Sequence, residues 1–391
     1  MVNYYLYPDD WAYKEDGSTP SVLDGTDGTV RVHTPKFYGK SGSNGNKRWV
    51  RISLVKLDDS WVEIPELLID AYRNTVDNTV SATPKAVSVV NTTEAFRGGG
   101  NRAQFDEYLT TEPDTKDAFR SDLGKPRTNV SRANMRTYAT NAGSELLCYE
   151  YYKWIFYWNY VIEYANFNSQ AAYNAELTSD GYRQGGLGPG VTDWSNSATS
   201  WSGYNGTYPI TPCGYCNDIG NFTGIKDLVI PECTATNETD TVATKTFKVP
   251  RWRGFDNPFG DIWTNLDGVV IQRTAANEIS SVYTTTNKEE FTDVIGSKTI
   301  AGYEVAQDGY IKEFDLGETA EIIPSSCTGA SATTYICDYH SCNATSTELR
   351  TLLVGGCAVC GGYAGLGFFY SNDGVGAADS HVGFRTLNRV S

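Results

Sequence analysis

Positive charge is scarce in this sequence. The 391 residues include 32 Lys and Arg against 47 Asp and Glu, which gives a formal net charge of -15 and a pI near 4.7. Nucleic acid and anionic membranes would be repelled by most of such a surface. The basic residues are thinly scattered, and we find no run of them that would form a local site for a polyanion. We therefore expect no nucleic-acid partner.

Long hydrophobic runs are also missing. The most apolar stretch, residues 146–165, is interrupted by Glu150, Lys153, Asn159 and Glu163, which are costly inside a bilayer. The N-terminus has no basic region followed by an apolar core, so we expect neither a secretory signal nor membrane insertion. With 40% hydrophobic residues, the chain can still bury a large core.

Histidine is scarce enough to limit the possible chemistry. Catalysis by a Ser-His-Asp or Cys-His set needs a base with a pKa near neutrality, and only His33, His340 and His381 are available. No nucleophile motif accompanies any of them. The carboxylates form no couple at helical or strand spacing, so a glycosidase is not supported either. We expect no catalytic residues and no enzymatic activity.

The nine cysteines are an odd number, and without a signal they favour reduced thiols. The pairs Cys213/Cys216 and Cys357/Cys360 have the spacing of zinc knuckles. A zinc site needs four converging ligands, and these pairs lie far apart in the sequence. Further residues that would complete one or other site are Cys233, Cys327, Cys337, Cys342 and His340. Weighing a structural metal against disulfides or free thiols, we expect no metal and no cofactor.

Aromatic residues are abundant at 13%, with 26 Tyr and 9 Trp. Tyr offers a large amphipathic surface at a low entropic cost, so the excess favours a protein that makes many contacts. A loop-rich fold with few aliphatic residues would equally fill its core with rings. Both interpretations stay open at this point.

Hydrophobic spacing predicts two helices and several short strands, an α+β fold. Ser131 is suited to cap a helix over 129–143, which Gly143 would end in a left-handed turn. A second helix is predicted to follow at once from a cap at Ser144 to residue 165. Residues 104–123 are weakly helical. Strands are predicted at 29–33, at 36–40 and 48–54 as a hairpin, and at 269–273 and 303–311.

The segment 351–391 is dominated by glycine, small and aromatic residues that follow neither a helical nor a strand period. Its paired glycines permit tight backbone reversals around short exposed loops. Rigid rings mixed with short polar groups are typical of binding loops. The candidate ligand-binding residues are therefore Cys357, Val359, Cys360, Tyr363, Phe369, Tyr370, Ser371, Asn372 and Asp373.

The chain closes on a predicted strand. Val382 and Phe384 alternate as in a buried terminal strand, with Gly383 between them. Arg385 follows directly and is predicted to pair with a carboxylate or to cap carbonyl groups.

Three separated blocks carry a resemblance to a known family. Residues 24–32 with 35–38 resemble the opening of phage virion proteins that contain a C-type-lectin-like domain. The central signature is similar in Trp252, Gly254, Asn257, Phe259, Gly260 and Trp263. The terminal region, from 355–356 through Gly383, Phe384 and Arg385, is similar to the part that retroelement-diversified receptor-binding proteins vary. The blocks cover the chain from about residue 21 to its end, in the family's order.

The resemblance implies a C-type-lectin-like fold, with two helices flanking small antiparallel sheets and long loop insertions at about 195–245 and 320–350. Residues 1–20 would be an N-terminal arm for assembly, and 21–391 the lectin-like domain. It also implies a virion protein of a head or tail fibre or adhesin, a homotrimer that contacts other virion proteins. The nine candidate positions, together with Ala358, match those that diversified members present to a host cell-surface glycan or protein, without a required calcium.

Two alternatives remain beside this interpretation. In the first alternative, the same domain belongs to an architectural protein that decorates the capsid or joins a fibre and binds no receptor. The fold also houses formylglycine-generating enzyme, a copper-dependent cysteine oxidase whose paired cysteines follow a Gly-Gly, as Cys357 and Cys360 follow 355–356 here. The spacing is shorter in this chain, and 361–364 replace that enzyme's arginines and aromatics, so we favour a surface-loop pair.

Overall fold

The computed structural model describes residues 21–45, 47–100, 121–164, 167, 169, 175–177, 183–185, 210–231, 244–334 and 336–390. The predicted arm at 1–20 and the weakly helical stretch up to residue 120 lie outside these ranges. β-structure dominates the described part, with few helices. None of its helices is long and apolar enough to cross a membrane.

The strands, in chain order, are β1 Arg31–Thr34, β2 Phe37–Asn44, β3 Lys47–Ser53, β4 Val62–Ile64, β5 Leu67–Asp70, β6 Thr75–Asp77, β7 Lys85–Val87, β8 Phe96–Arg97, β9 Glu145–Leu146, β10 Ala175–Leu177, β11 Arg183–Gly185, β12 Gly224–Pro231, β13 Thr244–Trp252, β14 Phe255–Asp256, β15 Trp263–Arg273, β16 Ser280–Thr284, β17 Thr299–Glu304, β18 Gly309–Tyr310, β19 Glu313–Asp315, β20 Ile323–Ser326, β21 Tyr339–Cys342, β22 Arg350–Val354, β23 Phe369–Ser371, β24 Val382–Gly383 and β25 Thr386–Arg389.

Helix α1 spans Arg132–Asn141, and helix α2 comprises Tyr149–Tyr152, a π-helical stretch Lys153–Trp158 and Asn159–Tyr164. Short 3-10 turns occur at Asn217–Ile219, Lys288–Glu290 and Gly361–Tyr363.

Two sheets organise the molecule. The largest has the order β17-β16-β15-β22-β23-β21-β18, with β24 added in parallel on β15. The second, with the order β1-β5-β25-β9, joins the first described strand to the last. Smaller sheets are β3-β2-β4, β7-β6-β8, β12-β13-β14, β10-β11 and β19-β20. The predicted hairpin at 36–40 and 48–54 is confirmed as β2 and β3.

The first predicted helix is confirmed, because the Ser131 side chain accepts a hydrogen bond from the Asn134 amide and Gly143 follows in a left-handed conformation. The predicted start of the second helix at Ser144 is wrong. Residues 145–146 form β9 and pair with β25, so α2 begins only at Tyr149.

Helix α2 supplies the centre of the core with its rings. Tyr152 stacks on Phe156 at 5.3 Å between ring centroids, and Phe156 lies 4.5 Å from Phe255 of β14. Trp252 packs against Tyr160 at 5.4 Å. Such pairs contribute about 0.5–1.5 kcal/mol each beyond the buried area. Aromatic residues therefore fill the core, one of the two roles that the composition left open.

Strand boundaries in the second half differ from the predictions. The predicted strand at 269–273 is the end of the longer β15. The predicted continuous strand at 303–311 is wrong. β17 ends at Glu304, and the next strand, β18, comprises only Gly309–Tyr310. Part of the predicted insertion at 320–350 forms β21 inside the largest sheet. The predicted terminal strand is divided into two short strands. β24 pairs with β15 in the largest sheet, and β25 lies between β5 and β9 in the second sheet.

The three sequence blocks that carry the family resemblance meet in space. A side chain added at Gly254 would lie 3.3 Å from Val32 of β1, so the central block touches the first one. The Gly260 amide donates to the Gly355 carbonyl at 3.1 Å, which joins the central block to the terminal one. Arg253 and Gly254 both have positive φ, as a two-residue hairpin turn requires.

Arg385 ties these parts together. Its guanidinium is buried and donates to the carbonyls of Asp70, Ala71 and Asp256, at 3.0 and 2.8 Å for the first two. The prediction that Arg385 caps carbonyl groups is therefore confirmed. One side chain links the terminal strand to β5 and to β14.

Replacing Arg385 should destabilise the protein strongly. Arg385→Met leaves buried carbonyls without their donor, and we expect a loss of about 3 kcal/mol in the free energy of unfolding, with a smaller loss for Arg385→Lys. Urea denaturation measures both values. The exposed Arg48 offers a control, since Arg48→Met should change stability by less than about 0.5 kcal/mol. Equal midpoints for the Arg385 and Arg48 variants would refute the linking role.

Candidate functional site

Three tyrosines form an aromatic cluster at the surface of the largest sheet. Tyr339 and Tyr363 stack with ring centroids 4.2 Å apart, and Tyr310 meets both rings edge-on at 5.3 and 5.4 Å. Tyr363 is 43% exposed, and the other two are partly exposed. Within the described residues no hydrogen bond engages the three hydroxyl groups. We call Tyr310, Tyr339 and Tyr363 the tyrosine cluster.

Strand pairing positions two of these rings. Tyr310 of β18 lies directly opposite Tyr339 of β21 in an antiparallel pair, so both side chains lie on the same face of the sheet. Tyr363 comes from a different part of the chain, the 3-10 turn Gly361–Tyr363, and covers Tyr339. The cluster thus combines residues from two strands and one loop.

A row of buried rings supports the cluster from behind. Tyr339 contacts Phe368 at 5.5 Å, Phe368 meets Trp263 at 4.6 Å, and Trp263 meets Tyr370 at 4.7 Å. Phe368 and Trp263 are buried, while Tyr370 is half-buried. Rings locked in this way lose little further freedom when they contact a partner.

Backbone hydrogen bonds hold the loop that carries Tyr363. The Ala358 amide donates to the Asp261 carbonyl at 2.9 Å, and the Tyr363 amide donates to the Cys360 carbonyl at 3.1 Å. Gly356 has φ of 77°, and a Cβ there would lie 2.8 Å from Ala364, so only glycine fits this turn. The loop is folded on itself and anchored to the central block.

Cys357 and Cys360 face each other inside the same loop. Their Sγ atoms are 2.9 Å apart, and the Cys357 amide donates to Cys360 Sγ at 3.0 Å. Burial, together with the hydrogen bond to Cys357, raises the pKa of the Cys360 thiol well above its usual value. Cys360 is therefore protonated at neutral pH and is a poor nucleophile.

The ten predicted binding residues divide by exposure. Cys357, Ala358, Phe369 and Ser371 are buried and point into the protein. Cys360, Tyr370, Asn372 and Asp373 are half-buried, and only Val359 and Tyr363 are exposed, at 37% and 43%. Strand β23 explains part of this division, because Phe369 and Ser371 alternate inward around Tyr370. Six of the ten side chains are thus reachable from solvent in this conformation.

Sequence reasoning missed Tyr310 and Tyr339. Tyr339 precedes His340 in a stretch with alternating burial, which is a local signal for an outward ring. Its pairing with Tyr310, 29 residues earlier, depends on strand register and leaves no local signal.

A buried charge network lies in the strands behind the cluster. Glu304 Oε1 contacts His340 Nε2 at 3.0 Å and also accepts from the Ser371 hydroxyl. His340 Nδ1 lies 2.8 Å from the Gln307 carbonyl. Both ring nitrogens therefore face acceptors, and only the charged imidazolium can donate to both. Burial alone would lower the pKa of His340, but the contacts with Cys327 and Glu304 raise it to about 9.

This network resembles a Cys-His-Glu set, but it does not supply a base. Cys327 Sγ is 3.8 Å from His340 Nδ1, whereas the Gln307 carbonyl oxygen is only 2.8 Å away and accepts the hydrogen bond from that nitrogen. A charged imidazole cannot accept a proton from the thiol. His340 is also fully buried, so no substrate reaches it in this conformation.

His340 should make stability depend on pH. Because its folded pKa of about 9 lies above the unfolded value of 6.5, its contribution is fully present below pH 6.5 and is lost as pH rises through 9. We expect this contribution to be about 3 kcal/mol. The measurement is the free energy of unfolding from pH 6 to 10 for the native protein and His340→Gln, which should show a flatter profile. Parallel profiles would contradict a charged His340.

The other cysteines do not converge. Cys213 and Cys216 each direct their thiol to a backbone carbonyl, of Arg73 at 3.4 Å and of Val249 at 3.6 Å. Among the described residues, no group of three or more His, Cys, Asp and Glu side chains could hold a metal ion. The eight cysteines in the described ranges form no disulfide with one another.

Comparisons with known proteins give little further information. A scan of protein families and a search of curated proteins found no match to this chain. Among solved structures, the chain is similar to the Major Tropism Determinant U1 Variant, with a TM-score of 0.29 and 12% identity, over 95% of this chain and 67% of that chain. Similarity of this size assigns neither a fold nor a ligand.

Proposed function

We propose that this chain is a structural protein of a bacteriophage particle, part of a head or tail fibre or an adhesin. It presents a C-type-lectin-like domain that binds a host surface glycan or protein. The observation that carries the proposal is the tyrosine cluster, which offers exposed rings and open hydroxyl groups on a rigid support. Rings of this kind are enriched where proteins recognise partners.

The proposed mechanism involves no chemistry. The support of Phe368 and Trp263 holds the rings in place, and the partner gains contact area without ordering a loop. One cluster makes a weak contact. A homotrimer, repeated over many copies on one particle and held by other virion proteins, would raise the avidity by orders of magnitude.

Removing rings of the tyrosine cluster should weaken attachment. We expect Tyr363→Ala and Tyr339→Ala to reduce the affinity of the purified protein for host-cell envelopes by roughly tenfold or more, as for buried aromatic anchors. Tyr303→Ala is the matched control, because Tyr303 is 47% exposed on β17 and lies outside the cluster. A melting temperature near that of the native protein verifies folding. Equal loss in the control would contradict the assignment.

The architectural alternative uses the same surface differently. In a capsid-decoration or fibre-joining protein, the tyrosine cluster would be buried between subunits of the particle. Hydroxyl-radical footprinting of intact particles distinguishes the two roles, because rings that bind a host are modified at rates similar to those in the free protein. Protection of Tyr363 in the particle would favour the architectural role.

A copper-dependent cysteine oxidase is the second candidate function. The Sγ atoms of Cys357 and Cys360 are 2.9 Å apart, and the two thiols could bind Cu(I) together. If that activity exists, copper should bind in a 1:1 ratio and Cys357→Ala should abolish binding. We expect no stoichiometric binding, because the raised pKa of Cys360 keeps that thiol protonated and Cys357 is buried. Titration of the reduced protein with Cu(I) and a chromophoric chelator measures this. Tight 1:1 binding lost in the variant would overturn the non-enzymatic proposal.

A further inference from the structure

Basic residues gather in one hairpin of this acidic protein. Residues 29–57 contain seven Lys and Arg and no Asp or Glu. These residues are Arg31, Lys36, Lys40, Lys47, Arg48, Arg51 and Lys56. Strands β2 and β3 fold this stretch back on itself, so residues that look scattered along the sequence become neighbours. The expectation that no local basic site exists is therefore corrected.

Several of these charges have no ion-pair partner among the described residues. Lys40 pairs with Asp58 at 3.1 Å and Arg31 with Asp70 at 3.1 Å. By contrast, Lys47, Arg48 and Arg51 are exposed and form no ion pair with any described residue. An anionic ligand would supply the charged partner that these three side chains lack among the described residues.

On one face of the hairpin, the indole ring of Trp49 lies between two cationic side chains. Lys47, Trp49 and Arg51 are two residues apart along β3, so their side chains share a face. The guanidinium carbon of Arg51 is 4.6 Å from the Trp49 ring centroid. Trp49 lies against Gly42 of β2, where an added Cβ would be 2.3 Å from the ring. The glycine thus lets the indole lie flat across the two strands.

The hairpin is anchored at its base and free at its tip. Phe37 is fully buried, and a Cβ at Gly39 would lie 2.3 Å from the ring of Trp154 in α2. Beyond that point the strands leave the core, and Gly45 has open space around it. Lys47 and Arg51 are exposed and Trp49 is half-buried, so a ligand can approach this row from solvent. Among the described strands, β3 lies at the edge of its sheet.

We propose that this face binds an anionic polysaccharide, with a sugar ring against Trp49 and its acid groups between Lys47 and Arg51. Sugar rings have apolar C–H faces that pack on aromatic rings, while carboxylates and phosphates form charge-assisted hydrogen bonds with guanidinium and ammonium groups. A polysaccharide with spaced charges fits better than nucleic acid, because the net charge of -15 repels a dense polyanion.

Binding of the full-length protein to defined polymers tests the proposal. The probes are polygalacturonate for carboxylates, poly(glycerol phosphate) for phosphodiesters, dextran as the uncharged control and poly(dT) as a single-stranded nucleic acid. We expect binding to one or both anionic saccharide polymers that weakens as salt rises, and no binding to dextran. Lys47→Gln/Arg51→Gln should lower the affinity roughly tenfold, and Trp49→Ala should also lower it.

A matched variant separates this site from net charge. Lys288→Gln/Lys312→Gln removes two exposed charges elsewhere and should leave binding unchanged. Equal loss in the Lys288/Lys312 variant, no binding to either anionic polymer, or tighter binding to poly(dT) would overturn the proposal. Unchanged binding together with self-association of the Lys47/Arg51 variant would assign these charges to protection of the edge strand.

Discussion

The buried guanidinium of Arg385 is the interaction on which the rest of the fold depends. Burial and the neighbouring Arg73 lower its pKa to about 9, so placing it in the core is costly. The cost is offset because the fork of donors meets the carbonyls of Asp70, Ala71 and Asp256 at once. A hydrophobic residue would fill the space without fixing the positions of three strands.

The same strands also hold the loop that carries Tyr363 in place. The terminal segment leaves β22 at the Gly355 carbonyl, which is bonded to Gly260 of the central block, and returns to β15 through β24. The loop that carries Tyr363 is thus held at both ends by the same framework that Arg385 closes. Rigid rings at the surface follow from a polar contact in the core. This coupling explains why a segment rich in glycine can still present side chains in fixed positions.

Sequence reasoning succeeded where a local signal determines the structure. The Ser131 cap, the β2 and β3 hairpin and the capping role of Arg385 all depend on residue types with one dominant physical use. It failed where the structure of a segment depends on a partner that is far away in the sequence. Residues 145–146 would continue a helix, but β25 pairs with them as a strand. The tyrosine cluster depends on register, so its residues look unrelated in the sequence. The basic hairpin was missed although residues 29–57 hold seven Lys and Arg and no acidic residue.

The two proposed surfaces differ in what they contribute to attachment. Charges act over about a Debye length, near 8 Å at physiological salt, and mainly raise the rate of encounter. Uncharged rings act only on contact and mainly slow dissociation. A basic hairpin on an acidic molecule directs the protein to anionic glycans with one orientation, because the remaining surface is repelled. The tyrosine cluster carries no formal charge, so its contacts persist at salt concentrations that screen the hairpin. Salt dependence of the two association steps is therefore the physical property that separates them.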